Sequence, residues 1–175
     1  MARFVAASRQ VKDGDPRGEG VLVGPMIDEG NARRVERWIE EAVARGARVL
    51  VGGPRRGSVV PATVLADVPR DARVSCDEVF GPVCLVERVE SFEDGLARAN
   101  DSVYGLQAGV FTPSLAHALT AFERLEVGGV IVNDAPSFRI DHMPYGGVKE
   151  SGFGREGIRS AIHDMTEERL LVMAP

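Results

Sequence analysis

The stretch Met143-Pro144-Tyr145-Gly146-Gly147-Val148-Lys149-Glu150-Ser151-Gly152-Phe153-Gly154-Arg155-Glu156 carries five glycines or prolines in fourteen residues. That density marks a loop of fixed shape, because glycine opens backbone regions closed to other residues and proline locks its own. Residues 128–132 upstream, Gly-Gly-Val-Ile-Val, are near-continuously apolar, as in strands covered on both faces. Downstream, a helix is expected over about residues 155–164 and a final strand over 169–173. Strand and helix alternate through the middle of the chain. The fold class read from this is α/β, a three-layer αβα arrangement with a parallel-rich sheet.

Further out, residues 31–45 give the clearest helix. Val35, Trp38, Ile39, Ala42 and Val43 fall at i, i+3, i+4, i+7 and i+8, with Asp28 or Asn31 as cap and Gly46 as stop. Residues 48–51 read as a short buried strand. Residues 59–65, broken by Pro61, read as an edge or irregular strand. Residues 83–86 form an apolar strand, and Ser91-Phe92-Glu93-Asp94 resembles a capping box that opens a helix to Asn100. A strand over 106–111 precedes a helix begun by Thr112-Pro113, with Leu115, Leu119 and Phe122 on one face. The terminal Leu170-Leu171-Val172-Met173 must pair with its own sheet edge or with a partner.

The chain has 175 residues, 44% of them hydrophobic, and a formal net charge of -5. These values fit one globular domain and argue against nucleic acid as a partner, which calls for a basic face. No window approaches the roughly 20 apolar residues of a membrane span. Cys76 and Cys84 form no metal-ligand pattern with His117, His142 or His163, so no metal is expected. Two thiols without a disulfide pattern point to a reducing, cytoplasmic compartment.

Two segments carry chemistry. In Glu78-Val79-Phe80-Gly81-Pro82, Pro82 restrains Gly81, so a carboxylate and an aromatic ring are held just before a strand. A carboxylate suits vicinal ribose hydroxyls and an aromatic face suits a flat heteroaromatic ring. The plainer alternative is a surface acid and a core phenylalanine. In the loop 133–144, Phe138 and Tyr145 can wall a pocket, and Arg139 or His142 can meet an anionic or hydroxylated substituent. Equally, Arg139 can be a surface partner for Asp134 or Asp141. Asn133 is expected to fasten the loop. Gly152-Phe153-Gly154 lacks the context of a phosphate loop. Glu156 is placed in the first turn of a helix, where the macrodipole favours a carboxylate by about 0.3–1 kcal/mol. Cys76, beside Asp77 and Glu78, and Cys84, a small hydrophobe in a strand, are not expected to be nucleophiles.

Together these two segments resemble signature segments of the NAD(P)-dependent aldehyde dehydrogenases, and the resemblance runs nearly end to end. It corresponds to the C-terminal third of such an enzyme: residues 1–164 as the C-terminal portion of the catalytic domain and 165–175 as an oligomerisation strand. It implies oxidation of a small aldehyde to its acid through a cysteine thiohemiacetal, with NAD or NADP as cofactor and a homo-oligomer as the assembly. Glu78 would contact the nicotinamide ribose, Phe80 would pack near the nicotinamide, and Glu156 would serve as a proton relay. The family's nucleophile lies in a Gly-Gln-x-Cys-type segment, expected before Met1 together with the dinucleotide-binding domain. The other function class is a non-catalytic remnant or interaction module that associates through its sheet edges.

Overall fold

The computed structural model describes residues 1–175 and divides into two compact units, Met1–Arg88 and Val89–Pro175. In the first unit the order is α1 (Ala2–Ser8), β1 (Lys12–Asp13), β2 (Val21–Val23), α2 (Glu29–Ala44), β3 (Arg48–Val51), β4 (Thr63–Ala66), α3 (Arg73–Cys76) and β5 (Val83–Val86). In the second it is α4 (Phe92–Asn100), β6 (Tyr104–Gly105), β7 (Gln107–Val110), α5 (Leu115–Arg124), β8 (Gly129–Val132), β9 (Val148–Lys149) and α6 (Ile158–Asp164). The α/β expectation holds. The strands form four sheets, and three of the five pairings, β1–β2, β4–β5 and β7–β8, are parallel.

α2 forms where the periodicity places it. The Asp28 carboxylate accepts the Asn31 backbone N–H at 2.6 Å, satisfying one of the helix's orphan donors, and Gly46 at φ +105° ends it. Its inner face buries Ala32, Val35 and Ala42 completely. Ala42 joins Ala47, Leu65, Ala72 and Val74 in a core flanked by Trp38, Ile39, Val79 and Val83. Burying a side chain such as Leu65 is worth about 1.5–3 kcal/mol.

The strand broken by Pro61 is not an edge strand. β4 begins after the proline, at Thr63, and lies between β3, antiparallel to it, and β5, parallel to it. All four of its residues are buried. Pro61 therefore sits outside the ladder, where its missing N–H costs nothing, and its carbonyl accepts the Thr63 hydroxyl at 2.9 Å.

In the second unit, Ser91 caps α4 by accepting the Asp94 N–H at 3.0 Å, and Asp94 accepts the Glu90 N–H at 3.2 Å. Leu96, Ala121 and Leu125 form the core, backed by Phe92, Val110 and Val130. The Leu115, Leu119 and Phe122 face of α5 is exposed, and the helix buries Ala121 instead. α6 starts at Ile158, so Glu156 lies before the helix and not in its first turn. Residues 169–173 are exposed and form no strand. No helix is long and apolar enough to cross a membrane.

Candidate functional site

In the first unit, α3 ends at Cys76 and the chain turns through Asp77 to Phe80 before β5. Val79 points inward and packs on both core clusters of the unit. Its neighbours Glu78 and Phe80 therefore point out. Phe80 has φ +44° and is 78% exposed, an unusual pairing for an aromatic residue. A non-glycine residue held at positive φ costs about 1–3 kcal/mol and persists only where the surroundings fix it. The fixing contact is Arg34 on α2, whose Nη2 donates to the Val79 carbonyl at 2.8 Å. Glu78 and Phe80 thus share one cleft of about 590 Å³ with Pro25, Met26, Ile27, Asn31 and Arg34.

In the second unit the glycine loop is packed backbone against backbone. A Cβ at Gly128 would land on the Gly146 carbonyl oxygen, so only glycine allows β8 to approach the loop. Lys149 sits at φ +55°, and its Nζ reaches the carbonyls of Asn100 at 2.8 Å and Ser102 at 3.0 Å and the Glu126 carboxylate at 2.9 Å. Tyr145 and Glu156 form an antiparallel bridge. Arg139 lies over the Tyr145 ring, 4.2 Å from its centroid, and its Nη2 pairs with Glu156 at 2.7 Å. Three of the residues singled out by sequence, Arg139, Tyr145 and Glu156, are therefore one cluster. The partner of Arg139 is Glu156, not Asp134 or Asp141. Phe138 and His142 are exposed on the same loop, and Gln107 donates to the Phe138 carbonyl at 3.2 Å. Asn133 fastens the loop as expected, accepting the Thr112 N–H at 2.8 Å.

The cysteines are separate from both places. Cys76 is exposed at the end of α3, and its sulfur has no hydrogen-bonding partner. Cys84 lies on the open side of β5 and not in a core cluster, because alternate residues of a strand face opposite ways. Partial burial still pushes its thiol above the ordinary value, which disfavours a thiolate. Arg34 and the Pro25–Ile27 wall were not legible as site residues. Arg34 stands in an arginine-rich run that reads as a solvated face; the available signal was Trp38 one turn on, over which the guanidinium stacks at 4.6 Å.

Residues 1–171 match the aldehyde dehydrogenase family. The chain is 48% identical over 160 residues to a 3-sulfolactaldehyde dehydrogenase of Priestia aryabhattai, covering 91% of this chain and 34% of that protein. Aldehyde dehydrogenase 21 of Physcomitrella patens, solved in complex with the reaction product succinate, superposes with a TM-score of 0.94 at 47% identity, over 97% of this chain and 35% of that one. Glyceraldehyde-3-phosphate dehydrogenase of Methanocaldococcus jannaschii, solved with NADP, superposes at 0.87 with 38% identity, over 94% of this chain and 36% of that one. The chain thus spans about a third of the length of the relatives it matches.

Proposed function

Because this chain belongs to the aldehyde dehydrogenase family, whose members are NAD(P)-dependent oxidoreductases acting on aldehydes, we propose that it supplies cofactor-facing and substrate-facing surfaces for oxidation of a small anionic aldehyde to its acid. The observation that carries the reading is the convergence of Glu78 and a strained, outward Phe80 on one cleft. The residues present fit the nicotinamide end of the cofactor. The Glu78 carboxylate accepts from ribose hydroxyls, and the Phe80 ring covers a flat heteroaromatic face. Bound there, NAD or NADP supplies a hydride acceptor.

The substrate class rests on Arg139 and on the relatives. Sulfolactaldehyde, glyceraldehyde 3-phosphate and succinate each carry an anionic group, respectively a sulfonate, a phosphate and carboxylates. A guanidinium forks onto such groups, and Arg139 is held ready for one by the Tyr145 face. An arriving anion competes with Glu156 for Arg139. The released Glu156 carboxylate can then hold a proton, the relay role. Phe138 and Tyr145 wall the pocket, and His142 meets a hydroxyl. The terminal residues 165–175 pair with a second copy, which covers the exposed Leu170 to Met173 run, and the compartment is cytoplasmic.

The test joins this chain to the part of the sulfolactaldehyde relative that it does not cover, and follows reduced-cofactor formation. Arg139→Gln is expected to raise KM for sulfolactaldehyde about 10- to 100-fold while sparing a neutral aldehyde of equal size. Equal losses on both aldehydes would exclude the anion-recognition role. Glu78→Gln should raise the cofactor KM with either substrate; an unchanged cofactor KM removes the ribose role.

A further inference from the structure

Gln107 lies on β7, opposite Gly129 in the parallel β7–β8 ladder. Its side-chain amide nitrogen donates to two carbonyls of the loop after β8, those of Pro136 and Phe138, the second at 3.2 Å. Only the NH2 end of the amide can serve two acceptors, so its orientation follows from its partners. The bare α-carbon of Gly129 leaves it room: a Cβ there would stand 3.0 Å from Oε1 and 3.4 Å from Cγ of Gln107. Gly109 shares that face two residues on, and a Cβ on it would stand 2.8 Å from the Asp134 carbonyl oxygen. The loop therefore lies along β7, its backbone against one glycine and two of its carbonyls on one glutamine.

The Phe138 carbonyl belongs to the peptide group that enters Arg139. Fixing that plane fixes where the Phe138 and Arg139 side chains leave the backbone. The far end of Arg139 is held separately, by the Tyr145 ring at 4.2 Å and by Glu156 at 2.7 Å. The side chains of this ion pair are 47% and 66% exposed, so it is weak and open to competing ions. Arg139 is thus anchored at its root by a doubly bonded amide and at its tip by a replaceable partner.

We propose that Gln107 is a positioning residue for anion selection, holding the root of Arg139 while the guanidinium passes from Glu156 to an anionic group on the substrate. This rests on the substrate reading above and adds the residue that keeps Arg139 aimed once Glu156 has let go.

Propane-1-sulfonate and propane-1-sulfonamide separate the roles, because they are nearly equal in size and only the first is charged. NMR titration of the 175-residue chain, read at the Tyr145 ring protons, measures both. The unaltered chain should half-saturate at about tenfold lower sulfonate than sulfonamide, the scale of one charge-assisted contact. Arg139→Gln should bring the two probes level. Gln107→Met, which keeps the length of the side chain and removes its donors, should raise the half-saturating sulfonate about three- to tenfold and leave the sulfonamide unchanged. Added to Arg139→Gln it should change nothing further, because a residue that acts through Arg139 has no effect once Arg139 is gone. A merely structural glutamine would instead weaken both probes and add its loss to that of Arg139→Gln. A second measurement needs no variant: the Gln107 side-chain NH2 protons should exchange with water more slowly than those of the exposed Gln10, with and without sulfonate. Exchange as fast as at Gln10, or a sulfonate preference untouched by Gln107→Met, overturns the Gln107 proposal and leaves the Arg139 reading standing. A preference absent from the unaltered chain, or surviving Arg139→Gln, overturns the two together.

Discussion

The turn at residues 78–80 and the loop at residues 146–156 are both fixed in shape, and they are fixed by opposite means. The turn is held from outside by one directional contact, Arg34 to the Val79 carbonyl, and leaves a strained aromatic ring in the open. The loop is held by contact, with backbone packed so closely at Gly128 and Gly146 that no side-chain carbon fits, and with Lys149 tying its start to three oxygens. A hydrogen bond tolerates adjustment by some tenths of an ångström, whereas two backbones in contact tolerate none. A directional latch suits a place where a ligand arrives. A steric clasp suits a place whose geometry must already be set.

The comparison breaks most readily at Gly128. Gly128→Ala should cost more than about 4 kcal/mol, in the range reserved for overpacking that no rotamer can relieve, and should leave the second unit without a cooperative transition. Urea unfolding followed by circular dichroism measures it. A variant that unfolds like the parent chain would mean the loop is not clasped by contact.

A smaller loss is expected from Lys149→Met. The lysine side chain is 23% exposed and its ammonium serves the Asn100 and Ser102 carbonyls at the end of α4. Removing a charged donor from such a site costs about 1.5–3 kcal/mol. Glu126→Gln should cost far less, since that carboxylate is 62% exposed and the pair is screened by solvent. Thermal melting of the two variants ranks them; equal losses would make the Glu126 pair the main fastening instead of the two carbonyls.

The elements most legible in the sequence were those with their own start and stop chemistry. α2 was visible because a 3.6-residue apolar stripe coincides with the Asp28 cap and the Gly46 stop, and β3 and β5 because short apolar runs are bounded by breakers. β4 was misplaced because Pro61 weakens a ladder only from within, and the strand starts at Thr63, beyond the proline and not at residue 59, so Pro61 says nothing about which neighbours β4 has. The α5 stripe shows a different limit. Periodicity says which residues share a face, not whether anything covers it, and here Leu115, Leu119 and Phe122 stay exposed. Of the site, Glu78 and Phe80 were legible as a motif and Arg34 was not, because its role depends on a carbonyl 45 positions away.

The finest test of the comparison is acid. α2 carries Arg34 and Asn31 to the cleft, and its first turn is held by the Asp28 carboxylate. The Asn31 backbone N–H, followed by the Asn31 side-chain amide, holds Asp28 below the ordinary carboxylate range. A carboxylate whose folded pKa is depressed contributes stability that is fully present above its unfolded pKa, about 3.9, and is lost as pH falls through the lower folded value. The helix start, and with it the Arg34 latch, should therefore loosen only on acidification below about pH 4. Asp28→Asn keeps an oxygen to accept the Asn31 N–H and carries no titrating charge, so its helix start should be insensitive to pH across that window. The Asn31 amide resonance, followed by NMR as pH is lowered, reads the midpoint directly. A midpoint at or above that of an ordinary aspartate, or the same titration persisting in Asp28→Asn, would remove the cap from the account. The contact of Gly128 with Gly146 contains no ionisable group, so its amides should pass through the same window unmoved, and a matching titration there would erase the distinction between latch and clasp.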